Sequence, residues 1–232
     1  MPRVIVLGTG TNVGKTHVTR ALALALRNLA PSATVAALKP IESGFEPSGG
    51  SDADRLAGVA SGITLPRPHP LVALPDPVSP HLAARRAGLE PIEVSAVAAW
   101  LAKWELEMAS RVLSSHLWSL VESAGALFSP LAPSATNFDL ARALEPAIWV
   151  LVAPDALGVL HDVRVTWEAC AQRGRVPDYL VLSAARAADA STGTNFDELR
   201  TLGIATPLQC VPRDSEDLSL LARALLTHVG AT

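Results

Sequence analysis

Cysteine is scarce in this chain: Cys170 and Cys210 are the only two in 232 residues. Two thiols so placed make neither a disulfide framework nor a metal-ligand spacing, and they fit a reducing, cytosolic compartment. Charged residues are also few, at 18%, against 49% hydrophobic, which excludes a disordered chain. Neither sign of charge prevails: 19 basic residues face 22 acidic ones for a net charge of -3, so nothing marks a nucleic-acid partner. Apolar runs never approach the ~18 residues of a membrane span; the best, Ala147 to Ala153, stops at Pro154-Asp155 and suits a buried strand. The opening Met1 to Gly8 has one arginine and an apolar run too short for a signal-peptide core.

The sequence instead offers short apolar runs alternating with longer helical patterns. Val4–Leu7, Thr34–Leu38, Leu117–Val121, Ile148–Val152, Tyr179–Leu182 and Pro207–Val211 read as strands. Helices are expected at Lys15–Leu29, with Val18, Leu22, Leu26 and Leu29 on one face, and at Asp52–Ala60, His81–Ala87, Ser95–Val112 and Asn137–Leu144. Three more follow at Val159–Arg173, Phe196–Leu202 and Leu218–Val229. Glu42–Ser51 reads as a Gly/Ser/Pro loop, and the six prolines of residues 62 to 80 exclude one regular element, leaving an irregular excursion over the sheet edge or the site. A chain of this length buries about 70% of its unfolded surface and supports one core. The expected fold is α/β: a single domain over residues 1–232, with a mainly parallel sheet covered by helices on both faces.

One motif carries specific chemistry. Gly8-Thr9-Gly10-Thr11-Asn12-Val13-Gly14-Lys15-Thr16 lies between the first strand and the first helix, where a phosphate loop belongs. Small residues let successive backbone N–H groups turn toward an anion, and the following helix aims its positive end at the same point. Lys15 reaches the outer phosphates and the Thr16 hydroxyl serves a Mg²⁺ ion. The spacer is unusual: the first glycine, Gly8, is one position early, and Thr9 stands where the usual pattern has glycine.

In a parallel sheet the carboxyl ends of the strands share one crevice. Lys39 leaves the second strand and should meet the loop there. Glu122 ends the Leu117–Val121 strand on the same side. Ser51-Asp52 opens a helix after the Gly/Ser loop. Only one of Asp52 and Asp54 is expected in the site, since residues two apart on a helix do not share a face. Each has a plainer reading: a solvated lysine, a helix-capping aspartate, an exposed strand-end acid. His17, His81 and His161 are more often structural, and Trp100 and Trp104, at i,i+4 spacing, are expected to pack.

Taken in order, these residues resemble the dethiobiotin synthase family, of P-loop NTPase type. The loop through Lys15-Thr16, Lys39-Pro40 with Ser43-Gly44, Ser51-Asp52, Ser79-Pro80-His81, Val121-Glu122 with Gly125, and Leu157-Gly158 all match its pattern. The resemblance implies a cytoplasmic ligase of biotin biosynthesis that carboxylates and cyclises 7,8-diaminononanoate with CO₂, using ATP as co-substrate and Mg²⁺. It implies Lys39 and Lys15 as catalytic residues. Asn12, Val13, Gly14, Lys15, Thr16, His17, Asp52, Glu122, Gly125, Ser183 and Pro212 would bind the nucleotide and its metal, with Thr16, Asp52 and Glu122 as metal ligands. Thr11 and Ser43 would meet the substrate, as would Gly158, Val159 and Leu160 from a second subunit of a homodimer.

The chain departs from the family pattern at Asn12, Ser123, Ala126 and His161, and most pointedly at Ser183, where the family's adenine-reading Asn is expected. A serine lacks the paired donor and acceptor of an amide, so base selectivity stays open. Two other readings remain: another ATP-dependent amide- or ligase-type P-loop enzyme, and a non-catalytic nucleotide-binding relative. A partitioning or septum-site ATPase is disfavoured by Gly10, where those proteins carry a lysine.

Overall fold

The fold is taken from a computed structural model, which describes residues 1–48, 50–60, 63–112, 117–184, 187–205, 207–212 and 215–230. Gly49 of the expected loop and Gly62 of the proline-rich stretch lie outside the described residues. The central sheet has six parallel strands, in chain order β1 (Arg3–Gly8), β2 (Thr34–Leu38), β5 (Leu117–Glu122), β8 (Ile148–Asp155), β9 (Tyr179–Ala184) and β10 (Pro207–Val211). Their spatial order is β10-β9-β8-β1-β5-β2, so β1 is interior and β2 is an edge. Val4 pairs with Leu120 on one side and with Ile148 on the other.

Alternation along these strands separates two cores. Val4 and Val6, with Val35, Leu120, Val150 and Val152, face α1 (Lys15–Leu29) and α8 (Ser219–Gly230). Ile5 and Leu7, with Leu38, Val121, Trp149 and Leu151, face the opposite layer. That layer holds α4 (Val94–Ala109), α5 (Asn137–Ala143), α6 (Val159–Gln172) and α7 (Asn195–Leu202). Trp149 is fully buried there, with Phe138 set edge-on at 5.4 Å and the Arg175 guanidinium 4.8 Å from its ring. Burial on both faces explains why these strands read as continuous apolar runs.

Several local expectations need correction. The expected Glu42–Ser51 loop begins as a strand, β3 (Ile41–Ser43), which pairs in parallel with β4 (Val72–Leu74) inside the proline-rich stretch. Hydrophobic periodicity cannot reveal strands of three residues. The helix expected to run to Ala60 is α2 (Asp52–Ala57), stopped at Gly58. The strand starting at Ile148 extends to Asp155, the helix expected at Ser95–Val112 ends at Ala109, and α3 (Pro80–Arg86) starts on a proline. A small antiparallel pair, β6 (Pro130–Ala132) and β7 (Ala135–Thr136), was not legible. Among the described residues, no helix is long and apolar enough to cross a membrane.

The proline-rich stretch is sewn onto the end of β2. The Lys39 N–H donates to His69 Nε2 at 3.1 Å and the Val72 N–H donates to the Pro40 carbonyl at 2.9 Å. Burial pushes His69 down from 6.5 to about 4, with Asp54 opposing and Arg67 adding to the shift. Between those two pH values the unfolded chain binds a proton at this ring and the folded chain does not, so folding stability falls as pH is lowered through that window. Urea denaturation at neutral pH and at two points below 6.5 is expected to show this slope, at most about 1.4 kcal/mol per pH unit, reduced in the His69→Gln variant.

Candidate active site

Four carboxyl-terminal strand ends and three helix starts meet in one cavity of about 530 Å³. The phosphate loop forms its floor. Asn12 and Gly14 take positive φ, at 59° and 95°, backbone values of the kind found in anion-binding nests. Glycine is needed at position 14 for two reasons: the left-handed backbone, and the absence of room, since an added Cβ would lie 2.9 Å from Ser183 Cβ. Lys15 Nζ donates back to the Gly10 carbonyl at 3.0 Å, spanning the loop as phosphate-loop lysines do. Burial pushes Lys15 down to about 8; Glu122 opposes this and the like charge of Lys39 adds to it.

The wall opposite holds three charges in contact. Lys39 Nζ donates to Asp52 Oδ2 at 2.5 Å and to Glu122 Oε1 at 2.8 Å. Glu122 is 1% exposed and takes further bonds from the Thr16 hydroxyl at 2.9 Å and the Thr19 hydroxyl at 3.4 Å. Burial works against the charge on Lys39, yet Glu122 and Asp52 hold its pKa above the ordinary lysine value. Burial likewise opposes ionisation of Asp52, but Lys39 keeps its pKa below the usual range. An ammonium has three N–H donors. Among the described residues two are used, to Asp52 and Glu122, which leaves the third for a ligand.

Asp52 is placed by a residue that the sequence reading passed over. Glu42, 4% exposed at the middle of β3, accepts the backbone N–H groups of Asp52 and Ala53 at 2.7 and 3.0 Å, closing the start of α2. Burial raises its pKa in spite of these bonds. Asp54 turns away to Ser51, whose Oγ donates to it at 2.7 Å, so only Asp52 enters the site, as helical spacing predicts. Ser43 Oγ is buried in the cavity wall with no hydrogen-bond partner among the described residues. Arg55 and the Pro77–Pro80 turn also line the cavity. Arg55 had no motif to announce it, whereas the turn carries the Ser79-Pro80 pair already noted.

The structure therefore brings together Thr11, Asn12, Gly14, Lys15, Thr16, His17, Lys39, Ser43, Asp52, Glu122 and Gly125. It does not bring the others to the cavity lining. Val13 turns its side chain into the core. The Ser183 hydroxyl donates to the Val13 carbonyl and is buried beneath the loop. Pro212 is exposed outside the cavity. Gly158, Val159 and Leu160 start α6 away from it, with Val159 buried in the core and the preceding Leu157 83% exposed.

The donors at Thr16, Asp52 and Glu122 are hard oxygens of the kind Mg²⁺ prefers. The two carboxylates already accommodate a positive charge between them in Lys39, so the residues present fit that ion.

Residues 2–217 match a family model described as an AAA domain. The ATP-dependent dethiobiotin synthetase BioD of Streptomyces coelicolor is 34% identical over 94% of this chain and 87% of its own length. The protein of the same name from Anaeromyxobacter dehalogenans is 34% identical over 100% of this chain and 98% of its own length. A third, from Caulobacter sp., is 35% identical over 99% and 96%. Among solved structures, the MinC:MinD cell division protein complex of Aquifex aeolicus aligns with a TM-score of 0.55 at 13% identity, covering 96% of this chain and 86% of that chain. A ParA family ATPase from Chlorobium tepidum aligns at 0.51 and 14%, covering 100% and 93%. At such identity these two speak for the fold alone, a P-loop NTPase fold.

Gly14→Ala adds left-handed strain of about 1–2 kcal/mol to the clash with Ser183. Titration with ATP is expected to show affinity weakened by about tenfold or more, with the melting temperature lowered as well.

Proposed function

The chain belongs to the family of ATP-dependent dethiobiotin synthetases, and from that premise we propose how its own residues conduct the reaction. The activity is ATP-dependent synthesis of dethiobiotin in biotin biosynthesis, the work of a ligase. The observation that best supports a working enzyme is the contact of Lys39 with both Asp52 and Glu122 at the mouth of the phosphate loop.

In this reading one amine of 7,8-diaminononanoate adds to CO₂ and loses a proton, giving a carbamate. A carbamate oxygen attacks the γ-phosphorus of ATP, the bond to the β-phosphate oxygen breaks, and ADP leaves. The second amine then attacks the carbamoyl carbon; inorganic phosphate leaves with the bonding pair, the amine loses a proton, and the ureido ring closes. Little covalent work falls to the protein, so placement and charge neutralisation dominate.

Lys15 and the N–H groups from Asn12 to Thr16 bind the phosphates, assisted by the positive start of α1. Lys39 uses its remaining N–H on the carbamate and on the oxygens of the phosphoryl group in flight. Thr11 and Ser43 orient the diamine. The unpartnered, buried Ser43 hydroxyl supports that role. Thr16, Asp52 and Glu122 would hold Mg²⁺, which when bound neutralises phosphate charge. His17, whose Nε2 lies 3.0 Å from the Ser215 carbonyl, and Gly125 border the nucleotide.

We place Pro212 beside the base. The Ser183 hydroxyl, engaged by the Val13 carbonyl, supports the loop and leaves the base unread. The chain works as one domain in the cytoplasm, as a homodimer in which Gly158, Val159 and Leu160 of the second subunit receive the far carboxylate of the substrate. The exposed Leu157 beside that helix start supports the last point.

The test measures phosphate release from ATP with Mg²⁺ and bicarbonate, with and without the diamine, and identifies the ureido product by mass. Diamine-dependent release with ring product is expected. Lys39→Ala should lower kcat at least ~100-fold, as for loss of a donor to transition-state charge. Product formation with ATP alone in a panel that includes GTP and CTP would refute the reading of Ser183, which expects rates within about tenfold of one another. No diamine-dependent release by folded, ATP-binding protein would refute the synthetase mechanism.

A further inference from the structure

Lys39 is constrained from its backbone as well as from its side chain. It follows the last residue of edge strand β2, which among the described residues is flanked only by β5 in the central sheet. Pro40 comes next and confines Lys39 to extended backbone. The Lys39 N–H donates to His69 Nε2 at 3.1 Å. One residue on, the Pro40 carbonyl accepts the Val72 N–H, and from there β3 and β4 run in register, Ile41 with Val72 and Ser43 with Leu74. A single crosslinked strip thus carries Lys39 at one end and Ser43 at the other.

The His69 ring is itself fixed. It stacks on Trp100 of α4, with the planes 2° apart and the centroids at 6.4 Å. Trp100 and Trp104 were expected only to pack; Trp104 anchors the same stretch, its indole N–H donating to the Thr64 carbonyl at 2.9 Å. A ring that accepts at Nε2 must be neutral, with its proton on Nδ1. The charged groups acting on it are Asp54 from α2 and Arg67 from its own segment, and burial outweighs both.

We propose that His69 is a positioning residue for the carbamate- and phosphoryl-transfer steps, aiming the Lys39 side chain by accepting the Lys39 backbone N–H. The inference rests on the role given to Lys39 above. The lever is short: rotation of the Lys39 backbone carries Nζ away from Asp52 and Glu122, and misplacement by about an ångström costs on the order of 100-fold in rate. His69 does not line the cavity, so its effect belongs in kcat and not in the binding of ATP.

Two variants separate the hydrogen bond from the packing. His69→Gln keeps an acceptor near Nε2 and gives up the stacking. His69→Phe keeps a flat ring against Trp100 and gives up the acceptor. Positioning predicts that Phe lowers kcat by about 10- to 100-fold with the KM for ATP changed less than about twofold, and that Gln restores kcat to within a few-fold of the parent. A Phe variant with parental kcat, a Gln variant as impaired as Phe, or losses confined to KM would each overturn the proposal. Thermal melting accompanies each assay, and if Phe does not fold, His69→Ala against His69→Gln decides the same point. Nitrogen-15 shifts of the parent ring at neutral pH supply an independent reading: the Nδ1–H tautomer supports the acceptor role, and the Nε2–H tautomer or a charged ring refutes it. The parent enzyme runs alongside. If it makes no ureido product, the synthetase mechanism has failed; if it is active and the His69 variants follow no such pattern, this inference alone has failed.

Discussion

A carboxylate buried to 1% exposure is a demand that the rest of this molecule is arranged to meet. Desolvating Glu122 is costly unless every oxygen finds a partner. The partners are Lys39 from the end of β2 and two threonines of α1. Lys39 is buried in turn and needs Asp52, and Asp52 is held because Glu42 fixes the start of its helix. Two strand ends and two helix starts are thereby locked to one point. Removing one member of such a pair leaves a buried charge uncompensated. The contacts that satisfy the buried charges are the same contacts that place Lys39, Asp52 and Glu122 around the cavity.

The proline-rich stretch gives this cluster its outer wall. Its prolines prevent long helices and central strands, but they suit a segment laid along an edge. Through β4 it holds β3, and through the Pro77–Pro80 turn it lines the cavity. Composition described it correctly as irregular and as covering the edge or the site. What composition could not give is the pairing, which depends on residues about thirty positions apart meeting in a specific register.

The legible part of the site was the part encoded locally. The loop Gly8 to Thr16 declares itself by small residues before Gly-Lys-Thr, and strand-end placement correctly joined Lys39 and Glu122 to it. Helical geometry allowed only one of Asp52 and Asp54 into the site, the family resemblance pointed to Asp52, and the contacts place Asp52 there. The six-stranded parallel sheet followed from six apolar runs and the helices between them. Glu42 and His69 escaped because their partners are backbone N–H groups, which every residue has and no motif records. The three-residue strands and the β6–β7 pair escaped because so few residues carry no period. Ser183 stood out as a departure from the family resemblance, but only the structure reveals that its hydroxyl is committed to the Val13 carbonyl.

The topology also sets an order of events during synthesis. Strand β1 and its loop leave the ribosome before either strand that flanks β1 in the sheet: it lies between β5 and β8, and Val4 pairs with Leu120 and Ile148. The nascent loop therefore has no flanking strand until β5 has emerged and no complete seat until β8 has, and Ser183 arrives later still to brace it. Pairings so distant in sequence close slowly, and apolar strands left waiting are open to wrong partners. Nucleotide stabilises only the assembled loop, so it can favour the finished fold by mass action but cannot guide the earlier, incomplete chain.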